Sequence, residues 1–165
     1  MAILATQAMW FLPFVLPICL YVAFTDMAQM KITNQAVIAL ALVFVVVGFF
    51  LMPFVDYLWR LAALVIVLVV GVILNGAGAL GAGDAKFAAA AAPFIALGDL
   101  RLLMALFMAT LLAAAVAHRG AKYTPLRKLA PHWDSWEKGK KFPMGLALGP
   151  ALAMYLILGT IFGAS

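Results

Sequence analysis

Charge is what this sequence has least of. Only 10% of its 165 residues are Asp, Glu, Lys or Arg, against about 25% in an ordinary soluble domain. So sparse a set cannot cover the surface of a water-soluble protein of this size. Cysteine is nearly absent too. Cys19 stands alone inside an apolar run, which excludes an intrachain disulfide and a Cys-rich metal site and leaves a packed core thiol as the plain reading. Histidine is limited to His118 and His132, neither in an HExxH-type spacing nor beside a nucleophile, so neither a metal site nor a cofactor is expected. The first 25 residues hold no Lys or Arg. They lack the basic start of a secretory signal and read instead as a first spanning helix, bent by Pro13 and Pro17.

What the chain has in abundance is apolar length. It is 68% hydrophobic, with a mean hydropathy of +1.15. The uncharged stretches run 1–25, 32–55, 61–83, 87–98, 102–118 and 142–165. Four of them exceed the ~20 residues that carry a helix across a bilayer core. Hydrocarbon offers no partner to a bare backbone, and a barrel would need alternating polarity, so even the Val-rich run Val43–Val47 is expected to be helical. The expectation is an all-α, polytopic integral membrane protein, a single domain over 1–165. Six transmembrane helices are predicted near 8–25, 35–53, 58–76, 84–99, 100–118 and 143–163. The fourth is the thinnest: Asp84 through Arg101 gives about 27 Å at 1.5 Å per residue, with Pro93 as a kink.

The net charge of +5 does not point to nucleic acid. Seven of the eleven Lys and Arg residues lie between Arg119 and Lys141, and basic residues gathered in one loop of a membrane protein are a topology signal. Six crossings put the 26–34 loop, the 76–86 loop and the basic 119–141 loop on one side. That side holds Lys31, Lys86 and the seven, nine against Arg60 and Arg101 opposite. The count makes it the cytoplasmic side, with both termini outside. Trp133, Trp136 and Tyr123 would suit this loop to an anionic lipid surface, although a purely topogenic role is the simpler reading.

Of six carboxylates, Asp56 beside Arg60, Asp99 beside Arg101, and Asp134 and Glu137 in the basic loop read as surface charge with local pairing. Asp26 and Asp84 differ. Each ends a long uncharged run, at the same membrane face, where an ionisable group is a functional candidate. Asp84 could simply cap a helix, and Asp26 could simply end one at the water boundary. The stretch ahead of Asp84, Asn75-Gly-Ala-Gly-Ala-Leu-Gly-Ala-Gly83, allows close backbone approach. Its match to a GxGxxG fingerprint carries little, because no βαβ pattern surrounds it. Two carboxylates in a partly dry site resist ionising together. One could then take a proton from water while the other donates to a carbonyl oxygen, which is acid–base attack on an amide. By the dipoles of their own helices, Asp84 would ionise first and Asp26 hold its proton longer.

These residues resemble a known family. Asp26-Met-Ala-Gln-Met-Lys-Ile-Thr-Asn34, Gly81-Ala-Gly83-Asp84-Ala-Lys86, and Phe142-Pro-Met-Gly145 with Gly149-Pro150 resemble the motifs of the type IV prepilin peptidases, membrane aspartic proteases with a Gly-x-Gly-Asp signature. The resemblance covers roughly 20–155 in order. It implies that Asp26 and Asp84 are the catalytic pair, supported by Asn34, Gly81, Gly83, Lys86, Pro143 and Gly145. It also implies cleavage of short basic leader peptides from prepilins and pseudopilins at the cytoplasmic face of a bacterial inner membrane. Thr33 stands where many members carry Pro. The Cys-x-x-Cys domain of the larger, methylating members is absent, and the compact form is similar to the peptidases of tight-adherence (Flp) pili. The rivals are a non-catalytic scaffold of pilus assembly and a small transporter, whose carboxylates would sit nearer the midplane. A presenilin-like protease would carry Tyr-Asp where this chain has Thr25-Asp26.

Overall fold

The computed structural model describes residues 1–125, 132–136 and 142–165. Among them it is helical, without a strand. Helix α1 runs Ala5–Gln29, α2 spans Asn34–Leu51 with a π-helical turn at Phe44–Gly48, and α3 is Phe54–Gly76. Helix α4 is Ala82–Ala91, α5 is Leu100–Lys122 and α6 is Gly145–Phe162. Five helical segments among the described residues are long and apolar enough to cross a membrane. The chain is a polytopic helical membrane protein.

The fourth crossing departs from the predicted continuous helix over 84–99. Regular α-helix stops at Ala91, and the chain continues through 3₁₀ turns at Ala92–Phe94 and Leu97–Asp99. Pro93 is the cause, since it has no N–H to offer and its ring crowds the preceding turn. A broken backbone at membrane depth needs partners inside the protein, and it has them. The Ala96 N–H donates to the Tyr155 hydroxyl at 3.0 Å, and Arg60 donates to the Pro93 carbonyl at 3.2 Å. The segment still travels from one end of the bundle to the other. It begins next to Asp26 and ends at Asp99, which touches residues 2 and 3 at the start of α1.

The core lies between α1 and α6, which pack closely along their length. Small residues make the approach possible, as is usual between helices in lipid. At Gly149 an added Cβ would stand 2.6 Å from the Cys19 carbonyl oxygen, and at Gly159 it would stand 2.9 Å from the Ala8 Cβ. Cys19 is buried in this seam, as a core thiol should be. Phe11 stacks on Phe44 and Phe94 meets both edge-on, which joins α2 and the broken crossing to the same core. Helices α3 and α5 turn long apolar faces outward, with Val65, Ile66, Met104 and Leu112 among the exposed residues. That surface belongs in lipid.

Asp99 corrects an expectation. It is 5% exposed and does not serve as surface charge. Its carboxylate accepts from the Ala2 and Ile3 N–H groups at 2.7 and 2.9 Å and from the Tyr155 hydroxyl at 2.9 Å. No local pattern signals this, because every partner is distant in sequence.

Candidate functional site

The 26–34 turn, the turn after α3 and the start of α6 gather at one end of the bundle around a cavity of about 760 Å³. Helix α1 extends past the predicted end at residue 25, so Asp26 sits in its last turn and not in the loop. The helix closes at Met30, which takes a left-handed conformation (φ 54°) and returns its N–H to the Asp26 carbonyl. A three-residue connection follows, and Thr33 caps α2 by accepting the Ala36 N–H at 3.3 Å. Opposite, α3 ends in a tight turn through Gly78 (φ 73°), with the Asn75 side chain donating to the Leu80 carbonyl at 2.8 Å. The chain then enters α4 with Asp84 in the first turn.

Asp26 and Asp84 both line this cavity, close enough for their charges to act on one another. Asp26 is 5% exposed, while Asp84 is more open to the cavity mouth. Asp26 has a donor that its own helix could not supply. The Gly145 N–H, at the start of α6, points at its Oδ2 at 2.6 Å. That is an anion-favouring position, because the first N–H groups of a helix have no partner within it. It offsets the opposite effect of Asp26's place near the end of α1, so each carboxylate lies against a helix N-terminus. The dipole of its own helix is thus only part of the field that Asp26 feels.

Glycine is required where these groups close on each other. A Cβ at Gly145 would fall 2.8 Å from the Asp26 Cβ and 3.0 Å from Oδ2, and one at Gly81 would fall 2.5 Å from the Asp84 Oδ2. Gly83 packs α4 against the 30–33 connection, where its Cβ would meet that of Ile32 at 3.3 Å. Lys86 does not turn back toward Asp84. Its ammonium donates to the Asn34 Oδ1 at 3.1 Å, tying α4 to α2 across the exposed rim. Pro143 is buried, and its carbonyl accepts the Leu146 N–H as α6 begins. All eight residues singled out in the sequence therefore gather at this one end of the molecule.

The basic loop reaches the same end, because Trp133 meets Phe24 of α1 edge-on at 5.9 Å. Trp136 is buried against His118 and not laid on a surface, whereas Tyr123 is exposed. Arg127, Lys128, Glu137, Lys138, Lys140 and Lys141 lie outside the described residues. Among the described residues no group of three His, Cys, Asp or Glu side chains is placed to hold a metal.

The fold and the site define a class: a helical membrane protein with two carboxylates in one cavity at one end of the bundle. The family model described as the type IV leader peptidase family matches residues 13–118, a span that includes Asp26, Asp84 and the motif between Gly81 and Lys86. The chain belongs to that family and is a protease of the type IV leader peptidase kind. No curated protein and no solved structure matches it significantly.

Proposed function

We propose that the chain is an aspartic endopeptidase in which Asp26 and Asp84 together activate a water molecule. The observation that carries this reading is their shared cavity at one end of the bundle, with room for a short stretch of extended peptide. Two carboxylates so placed share one proton more readily than they lose both. The ionised partner takes a proton from water as its oxygen attacks the scissile carbonyl, and the protonated partner donates to the developing oxyanion. Collapse of the tetrahedral intermediate breaks the C–N bond and passes a proton to the leaving amine. The dyad then regains the proton state with which it began.

The substrates are prepilins and pseudopilins of the Flp type, each with a short basic leader and a hydrophobic helix. A site at the end of the bundle suits such a substrate, because the leader would stay in water while the helix lies in lipid. The nine-to-two bias of basic residues supports a cytoplasmic placement of this face in a bacterial inner membrane, with both termini outside. A transporter is less well supported, since its carboxylates belong near the midplane, and both stand here at one end.

The test is processing of a co-expressed Flp-type prepilin, followed by its mobility shift, with wild type, Asp26→Asn and Asp84→Asn at matched membrane levels. Loss of cleavage in both variants is expected. Normal processing in both would end the aspartic mechanism and leave a scaffold role as the better reading.

A further inference from the structure

A row of five rings runs from α1 to the segment that opens α6. Phe24, two residues ahead of it on α1, meets Trp133 edge-on at 5.9 Å. Trp133 stacks on Trp136 at 5.8 Å with 17° between planes, and Trp136 stacks on His118 of α5 at 5.0 Å with 16°. His118 then meets Phe142 edge-on at 6.0 Å. Trp136 and His118 are 4% and 6% exposed, so the middle of the row is interior structure. The His118 Nε2 has no hydrogen-bond partner among the described residues, and the contact the imidazole makes with Trp136 is through its ring face.

The far end of the row leads into the site. Phe142 lines the Asp26–Asp84 cavity. Three residues on, Gly145 donates its N–H to Asp26. The link between them is short and stiff. Pro143 fixes its own φ, and the Pro143 and Met144 carbonyls accept the Leu146 and Ala147 N–H groups as the helix begins. A segment so constrained moves as a unit, and where Phe142 rests decides where the Gly145 N–H points.

The geometry points to His118, Trp136 and Phe142 as positioning residues for the proposed peptidase reaction. Their stack holds the start of α6 so that its first free N–H meets Asp26. This rests on the peptidase reading above. It gives the 132–136 segment a part in the chemistry although none of its residues lines the cavity.

The experiment uses full-length protein in lipid nanodiscs with a purified Flp-type prepilin, reading kcat and KM separately and scaling both to folded protein. Trp136→Ala and His118→Ala should lower kcat by ~10-fold or more, as loss of catalytic alignment does, with KM little changed. Trp136→Phe and His118→Phe should recover most of the rate, because ring shape is what the stack uses. Trp136→Ala combined with Gly145→Ala should fall no further than the worse single variant, since both act through one contact. Undiminished kcat in Trp136→Ala overturns the proposal. So does a rate in His118→Phe as low as in His118→Ala, or a loss that only follows the folded fraction. Wild type and Asp26→Asn run alongside. If wild type fails to cleave, the peptidase reading itself fails; if wild type cleaves and Trp136→Ala matches it, only the stack does.

Discussion

Gly145→Ala tests how finely the site is set. The added Cβ would stand 2.8 Å from the Asp26 Cβ and 3.0 Å from its Oδ2, whereas carbon atoms rest at about 3.5–4.0 Å. Either α6 or Asp26 must therefore retreat by ~0.7–1 Å, because the near atoms are a Cβ and a carboxylate held by its own helix. Overpacking of this kind costs about 1–3 kcal/mol of stability. A misplacement near 1 Å at a reacting group costs on the order of 100-fold in rate, or about 2.7 kcal/mol of barrier. The comparison that separates the two effects is Gly159→Ala. It creates a similar clash, 2.9 Å to the Ala8 Cβ, in the same α1–α6 seam but away from the site. Both variants are purified in nanodiscs, their melting midpoints recorded, and prepilin cleavage measured per folded molecule. Both should melt lower, and only Gly145→Ala should lose most of its kcat. Cleavage by Gly145→Ala within about threefold of wild type would refute the argument, since a 0.7 Å displacement at Asp26 would then carry no catalytic cost.

Three further outcomes follow from contacts outside the dyad. Asp99→Ala strips the acceptor from two backbone N–H groups and the Tyr155 hydroxyl. At about 1–3 kcal/mol for each buried group left unpaired, a clear drop in the melting midpoint is expected, with cleavage per folded molecule retained. Tyr155→Phe removes one hydroxyl that serves both Ala96 and Asp99, and should be milder, at about 1–3 kcal/mol in the same assay. Thr33→Pro replaces a cap at a φ of −74° that Pro adopts freely. Loss of the cap, about 1 kcal/mol, is offset by about 0.4–1 kcal/mol from stiffening the unfolded chain. The melting midpoint should hardly move, and a large fall would show that the Thr33 hydroxyl does more than cap.

The sequence disclosed what long-range packing does not decide. Uncharged runs are forced into helices by the solvent they occupy, so α1, α2, α3, α5 and α6 fall within a few residues of their predicted bounds. The gathering of Asp26, Asp84, Asn34 and Lys86 at one end followed from counting crossings. Pro93 warned of a kink, but a kink and a full break look alike in sequence until Tyr155 and Arg60 are seen serving the freed backbone. Asp99 reads as surface charge because the nearby Arg101 offers an easy partner, while its donors are the distant Ala2 and Ile3 N–H groups and the Tyr155 hydroxyl. The Gly145 donor was invisible for a related reason. An N–H has no letter in the sequence, and only the fold says what it faces.

The broken fourth crossing also constrains how the protein is made. Its Ala96 N–H donates to the Tyr155 hydroxyl, which in turn donates to Asp99, and Tyr155 emerges from the ribosome after another whole span has been synthesised. Until then the Ala96 N–H lacks the partner it has in the finished fold, and an unpaired backbone group in hydrocarbon costs several kcal/mol. Biogenesis must therefore run out of chain order. The first three helices have no partner on the last one that a broken backbone requires, whereas the fourth reaches its final pairing only when the last helix joins. A nascent chain arrested before residue 155 should thus leave the turn at Ala96 without its Tyr155 partner, so that the fourth crossing is completed only when synthesis nearly is.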